Sequence, residues 1–166
     1  LSADYAFIGA INHELKRIKT VSFVKDTVLD NLDYDPADTP CHAVFSGEAC
    51  VYPKDVQQLF PNDQLLTKLN VDGYIGIPLF SLDGSQVIGI FGVLFSREIP
   101  DSQAALKSIE LLAPRVELEL DRRLLTDQLQ DKKALFDAIS NQTTEGITVA
   151  DMAGNYLYVN QAFCKM

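Results

Sequence analysis

Cys41, His42 and Cys50 are the side chains of this sequence whose types and spacing could support covalent or metal chemistry. A thiol is an effective nucleophile when a base contacts it in space, and thiols and imidazoles together bind zinc. However, adjacent residues at the start of a helix point in different directions, and a zinc site needs a fuller set of ligands at characteristic spacing. The pattern therefore predicts neither a catalytic cysteine nor a metal site.

The cysteine count indicates the redox compartment of the chain, and its net charge argues against some classes of partner. Its 3 cysteines include no Cys-x-x-Cys pair, and an odd number does not form a closed disulfide framework, so free thiols in a reducing compartment are predicted. The net charge of −9 argues against binding to nucleic acid or directly to an anionic membrane. Neither a signal peptide nor a membrane-spanning run is recognisable. We expect a cytoplasmic segment whose parent protein could itself be membrane-anchored.

Reversible binding in an apolar pocket is the better-supported kind of chemistry. Ligand pockets are mostly apolar with a few convergent polar groups, and several suitable side chains come from segments predicted to flank one sheet face. The alternative, that these side chains are simply core, stays open. The pocket candidates are Cys41, Tyr52, Phe60, Tyr74 and Ile77.

Two hairpins are predicted among the elements that must position these side chains. Residues 5–11 and 17–24 alternate like the strands of a first hairpin. Residues 73–80 and 86–95 flank an Asp-Gly turn, which is the strongest short hairpin signal. The run 86–95 is apolar on both faces, so it predicts a central strand that helices cover.

Short elements are predicted between the two hairpins. Residues 31–40 form an Asp-rich loop closed by prolines, and residues 41–47 form helical turns that Gly47 ends. A short strand follows at 49–52. The apolar spacing of residues 54–69 is helical, with Pro61 starting a second helical piece.

A long helix is predicted over 102–140, with Asp101 or Ser102 as its N-cap and a kink near 110–114 because Pro114 removes a backbone hydrogen bond. Its part 116–135 is charged but carries leucines, so a partner helix is expected to cover them. Packing onto its own domain, the alternative, fits 102–115 better. The predicted seam of a homodimer consists of Val116, Leu120 and Leu124.

Residues 39–99 resemble GAF domains of bacterial sensor proteins. The resemblance implies a central antiparallel sheet with helices on both sides, a signal-sensing pocket, and a parent such as a sensor histidine kinase or a cyclic-dinucleotide enzyme. Neither the family's cyclic-nucleotide signature nor a bilin-attachment context is found, so no cofactor is predicted. The matching stretches are Thr-Pro-Cys (39–41), Gly-Glu-Ala-Cys-Val-Tyr-Pro (47–53), Leu-Phe-Pro-Asn-Asp (59–63), Gly-Tyr-Ile-Gly-Ile-Pro-Leu (73–79), Asp-Gly (83–84), Val-Ile-Gly-Ile (87–90) and the helical Leu-Ala-Pro-Arg-Val-Glu-Leu-Glu (112–119).

Residues 145–166 resemble the opening of a PAS domain. Glu-Gly-Ile-Thr-Val-Ala-Asp (145–151) and Gly-Asn-Tyr-Leu-Tyr-Val-Asn-Gln-Ala-Phe (154–163) match its first two strands and the start of the next helix, which Asn160 can cap. The expected organisation is a GAF domain at 1–115 without its usual opening helix, a coiled-coil-like signalling helix at 116–140, and a truncated PAS start at 141–166.

The sequence therefore predicts an α+β fold with a GAF-like antiparallel sheet, a long C-terminal helix and a short PAS-type hairpin. The expected function is a non-catalytic sensory module that binds a small molecule and passes the signal through the helix to downstream PAS and output domains. One alternative is a dimerisation and relay domain without a small ligand. A second is an enzyme resembling free methionine sulfoxide reductases.

Overall fold

The computed structural model describes residues 3–165 of the chain. They form two compact units, divided after Asp121. The strands of the first unit are β1 (Tyr5–Asn12), β2 (Arg17–Val24), β3 (Asp33–Tyr34), β4 (Cys50–Tyr52), β5 (Gly73–Phe80) and β6 (Val87–Phe95). The first unit also contains α1 (Cys41–Phe45), α2 (Val56–Leu59), α3 (Gln64–Lys68) and the first part of α4 (Ser102–Gln142). The rest of α4, β7 (Thr148–Ala150), β8 (Tyr156–Val159) and α5 (Gln161–Cys164) form the second unit.

A 6-stranded sheet in the order β3-β2-β1-β6-β5-β4 organises the first unit. All of its strand pairs are antiparallel. Both predicted hairpins are confirmed as β1–β2 and β5–β6. β6 lies between β1 and β5 and is buried on both faces over most of its length, as its continuous apolar run predicts.

Helices cover the two faces of this sheet. On one face, Tyr74 of β5 and Leu94 of β6 share a core with apolar residues of α1, α2 and α3. On the other face, α4 approaches β6 so closely that a Cβ atom at Gly89 would clash with the side chain of Leu120. This arrangement confirms the predicted α+β class, with an antiparallel sheet between helices.

Aspartate side chains act as N-caps at the starts of two helices. Asp101 accepts a hydrogen bond from the amide of Ala104 at 2.9 Å, as predicted for the N-cap of α4. The predicted start of a helix at Pro61 is wrong, because α3 begins at Gln64. The carboxylate of Asp63 instead accepts from the first amides of that helix and so determines where it starts.

Helix α4 is continuous from Ser102 to Gln142 and includes Pro114. Among the described residues, no helix combines the length and the apolarity that crossing a membrane requires.

The second unit is organised by Asn160, which is 1% exposed. Its Oδ1 accepts from the amides of Ile147 at 2.8 Å and Phe163 at 3.0 Å. Its Nδ2 donates to the carbonyl groups of Ser140 at 2.8 Å and Glu145 at 2.9 Å. This one side chain therefore joins the end of α4, the antiparallel β7–β8 hairpin and α5, and its predicted role as an N-cap is confirmed.

Candidate functional site

A cavity of about 490 Å³ lies on the face of the sheet that α1, α2 and α3 cover in the first unit. Its sheet side is apolar and includes Phe7, Tyr74 and Leu94. The loop that follows β3 and the beginning of α3 form the opposite walls. Its volume lies in the range of about 300–1,000 Å³ that small-molecule sites occupy.

Three side chains from separate elements meet at one wall of this cavity. The Sγ atom of Cys41 lies 3.3 Å from the hydroxyl of Tyr34 and 3.2 Å from the hydroxyl of Tyr74. Cys41 begins α1, whereas the tyrosines belong to β3 and β5. The thiol therefore connects the edge strand β3, the inner strand β5 and the first helix through hydrogen bonds.

Burial keeps the ionisable groups of this cluster neutral. It raises the pKa of the Cys41 thiol despite hydrogen bonds that favour the thiolate. It also raises the pKa of Tyr34 and Tyr74 well above the usual value, and that of Cys50 to about 12. Nucleophilic cysteines need an accessible thiolate, so this environment suits packing and hydrogen bonding better than covalent catalysis.

Four carboxylates are among the groups that line the cavity. Asp33, Asp35, Asp38 and Asp63 all line it, and no lysine, arginine or histidine lies among its described lining residues. Asp33 is paired with Arg17, whose Nε lies 2.5 Å from its Oδ1.

Asp63 is half-buried, and its Oδ1 accepts from the backbone amides of Leu65 at 3.0 Å and Leu66 at 3.4 Å. Burial raises the pKa of Asp63, and these two hydrogen bonds oppose that rise. Its carboxylate therefore combines a structural role as N-cap with a place on the cavity wall.

The five pocket candidates have different positions in the structure. Cys41 and Tyr74 line the cavity. Tyr52 and Phe60 pack edge to face with ring centroids 5.1 Å apart, and neither is among the residues that line this cavity. Ile77 lies three residues from Tyr74 on a regular part of β5, so the alternation of side chains places it on the opposite face.

The cavity also contains residues that sequence patterns did not select. Tyr34, Asp35, Asp38 and Asp63 belong to loops or to the ends of short elements. The Asp-rich stretch 31–40 was the available signal, but local composition does not reveal that this loop folds over the sheet.

Cys41 and His42 point in different directions, as expected for neighbours at a helix start, because Cys41 is buried and His42 is exposed. Among the residues that the structure describes, no group of three or more His, Cys, Asp or Glu side chains is placed to hold a metal ion.

The predicted helix seam is only partly available to a partner. Leu120 is 3% exposed and packs against Gly89 of its own sheet, whereas Val116 and Leu124 are half-buried. The expectation that Leu120 faces a partner helix therefore needs correction, because glycine on β6 lets α4 approach and bury this leucine. More exposed leucines lie elsewhere on α4, at Leu111, Leu118, Leu125 and Leu129.

The GAF domain of a two-component sensor histidine kinase from Bacillus halodurans is structurally similar to this chain. The TM-score is 0.60, and the match covers 76% of this chain and 87% of that one at 17% sequence identity. The chain has a GAF fold. At this identity, the likeness establishes the fold alone.

Other solved GAF-fold structures extend the comparison to different activities. A red/green cyanobacteriochrome in its red light-absorbing state matches with a TM-score of 0.58 at 17% identity, covering 78% of this chain and 88% of that one. The free methionine-R-sulfoxide reductase from Neisseria meningitidis, in complex with its substrate, matches with a TM-score of 0.57 at 16% identity, covering 75% and 72%. No protein-family model matches the chain, and no curated protein matches it. The GAF fold is thus shared by sensory domains and enzymes.

Proposed function

We propose that this GAF-fold chain is a non-catalytic sensory module that binds a small molecule in the cavity. The observation that carries the proposal is the cavity itself, about 490 Å³ in volume, with an apolar sheet side and convergent hydroxyl and thiol groups. Apolar area with a few fixed polar groups is typical of specific ligand sites. The raised pKa values of Cys41 and Cys50 favour binding over cysteine catalysis.

We further propose that α4 carries the signal to downstream PAS and output domains. The helix contacts the strands that also form the cavity: Leu120 packs on Gly89 of β6. Glu117 accepts from the amide of Phe80 at 2.9 Å, and Asp121 accepts from the amide of Leu82 at 3.3 Å. A ligand that favours one arrangement of β5 and β6 would then bias the position of α4.

Residues 145–165 are proposed to be the beginning of a PAS domain. Support comes from the order of elements, in which the β7–β8 hairpin leads directly into α5. The buried cap Asn160 connects that hairpin to the end of α4, which is where an incoming signal would arrive.

The ligand-binding proposal can be tested by blocking the cavity at Ala37. This residue lines the cavity but is itself exposed, so a larger side chain can obstruct the site without overpacking the core. Small molecules released from the purified full chain are identified by mass spectrometry, and candidates are then titrated by calorimetry. Binding is expected to be lost in Ala37→Phe and retained in the control Ala37→Ser. Equal binding in both variants, or no binding to wild type, would contradict the proposal.

A dimerisation and relay domain without a small ligand is the second candidate. The exposed leucines of α4 favour it, since Leu111 and Leu118 of the first unit are 82% and 54% exposed and lie one heptad apart. In the second unit, Leu125 and Leu129 are 57% and 69% exposed. Concentration-dependent mass in light scattering, without any ligand, would support this candidate.

An enzyme resembling the free methionine sulfoxide reductases is the remaining alternative, because those enzymes share the fold. The raised pKa values of the buried Cys41 and the half-buried Cys50 argue against it. Incubation with free methionine-R-sulfoxide and a dithiol reductant is expected to give no turnover. Turnover that disappears in Cys41→Ser or Cys50→Ser would establish the enzyme instead.

A further inference from the structure

We propose that the cavity takes a small organic cation, meaning a protonated amine or a guanidinium attached to an aromatic or aliphatic body. The inference rests on the proposed ligand-binding function and specifies the chemistry of the ligand. Its basis is the combination of an apolar sheet side with a wall that carries carboxylates and no basic group among the described lining residues.

The charge on the cavity wall is largely uncompensated. Of the four lining aspartates, Asp33 has a partner in Arg17, which binds it through both the carboxylate and the backbone carbonyl. In the described part of the chain, no basic side chain forms an ion pair with Asp35, Asp38 or Asp63. A cleft lined by one sign of charge concentrates counter-ions, so it attracts cations and repels carboxylates and phosphates.

Asp63 shows this imbalance most directly. Its Oδ1 accepts from two backbone amides at the start of α3, yet the charges near it do not include a cation that stabilises the carboxylate. A partly desolvated carboxylate without a counter-charge is energetically costly. A cationic ligand would supply the missing charge at the wall where Asp63 lies.

The apolar side of the cavity can hold the body of such a ligand. Phe7, Tyr34 and Tyr74 present aromatic rings, and Leu65 and Leu94 add aliphatic surface. The faces of aromatic rings attract cations as well as apolar groups. The cavity is therefore suited to a ligand that has both a positive head and a hydrophobic body.

Three compounds of similar shape but different charge test whether binding in the cavity depends on a positive charge. Phenethylamine carries the proposed positive head, 2-phenylethanol is its neutral counterpart, and phenylacetate carries a negative charge on a similar body. Each is titrated into the full chain at neutral pH, at low and at high ionic strength, with binding followed by amide chemical shifts of residues around the cavity. Phenethylamine is expected to bind, and more weakly at high salt, while the other two bind at least about tenfold more weakly.

Asparagine substitutions remove the charges and keep the local structure. Asn is also a good N-cap, so Asp63→Asn preserves the start of α3. Asn tolerates positive φ values, so Asp38→Asn suits a residue with φ of 58°. Each variant is expected to weaken the binding of phenethylamine about three- to tenfold. Asp26 lies on an exposed loop and is not among the cavity-lining residues, so the control Asp26→Asn should leave phenethylamine binding unchanged.

The outcomes distinguish this inference from the proposed function. Selective binding of phenethylamine that weakens in Asp63→Asn supports the cation site. Comparable binding of 2-phenylethanol or phenylacetate, or binding insensitive to Asp63→Asn and Asp38→Asn, overturns the cation site but leaves ligand binding in place. If none of the three compounds shifts resonances around the cavity and no small molecule is released from the purified chain, both proposals fail together.

Discussion

The hydroxyl of Tyr74 lies 3.2 Å from the Sγ atom of Cys41 and joins the inner strand β5 to the first helix beside the cavity. Tyr74 is 1% exposed and Cys41 is 5% exposed, so water is not readily available to replace either partner. A hydrogen bond in such a place is costly to leave unmade. The pair therefore both stabilises the fold and shapes one wall of the candidate site.

Tyr74→Phe removes the hydroxyl and retains the ring. We expect the free energy of unfolding to fall by about 1 kcal/mol, because Cys41 loses a buried partner. Urea unfolding followed by circular dichroism measures the change. The control Tyr156→Phe removes a hydroxyl from a side chain that is 66% exposed and should have little effect. Similar losses in the two variants would contradict the role assigned to Tyr74.

Stability should decline in alkaline solution. Burial raises the pKa of Cys50 from 9.0 to about 12 in the folded chain, whereas the unfolded thiol ionises near its ordinary value. Between these pH values the unfolded chain binds fewer protons than the folded one, so the free energy of unfolding decreases as pH rises. Below pH 9.0 both states keep the proton, and this contribution to stability is fully present.

Urea unfolding at several alkaline pH values measures this dependence. Cys50→Ala should reduce the slope, and the remaining slope comes from Cys41 and the buried tyrosines. Cys164→Ala replaces an exposed thiol outside the buried cluster and is the matched control for the substitution itself. A slope that is unchanged in Cys50→Ala would show that this thiol ionises as easily in the folded chain as in the unfolded one.

Glu117→Ala tests the attachment of α4 to the sheet. Loss of the carboxylate leaves the amide of Phe80 without its acceptor on the helix, and we expect a loss of about 1 kcal/mol in stability. Hydrogen exchange at Phe80 should accelerate, as measured by NMR. Glu110→Ala changes an exposed carboxylate on the same helix and serves as the control. Unchanged exchange at Phe80 would argue that this contact does not hold the helix.

Leu125→Glu tests the proposed homodimer. Leu125 is 57% exposed, so a charge there should disrupt association and leave the fold intact. Light scattering is expected to report a monomer, with unchanged circular dichroism. Gln130→Glu, on the same helix but turned away from Leu125, adds a similar charge at an exposed polar position and should keep the dimer. Leu120→Glu should instead unfold the first unit, because Leu120 is 3% exposed. Equal masses for wild type and Leu125→Glu would count against this interface.

Asn160→Asp tests the centre of the second unit. The new carboxylate can still accept from two amides, but it loses both donors and faces the carbonyl groups of Ser140 and Glu145. We expect a loss of about 2–4 kcal/mol, seen as faster exchange of the Ile147 and Phe163 amides. The control Asn141→Asp keeps its single acceptor role toward Gln161 and should change little. Unaltered exchange in Asn160→Asp would contradict this organisation.

Much of the fold follows from local patterns in the sequence. The Asp-Gly turn and its apolar flanks specify the β5–β6 hairpin, and the caps Asp101 and Asn160 mark helix starts, because turn and cap preferences act over a few residues. Where two local signals compete, prediction is less secure. Pro61 could begin a helix, but the carboxylate of Asp63 satisfies the first amides of α3 and moves its start.

The cavity and the orientation of α4 were decided by tertiary structure alone. Composition indicates an acidic loop and several apolar segments, but only the folded sheet brings Tyr34, Cys41 and Tyr74 together and places Asp63 beside them. Similarly, helical spacing identifies leucines on α4, but Gly89 determines that Leu120 is the one buried. Contacts between residues distant in the chain depend on how elements pack, and that information is not contained in the spacing of any one element.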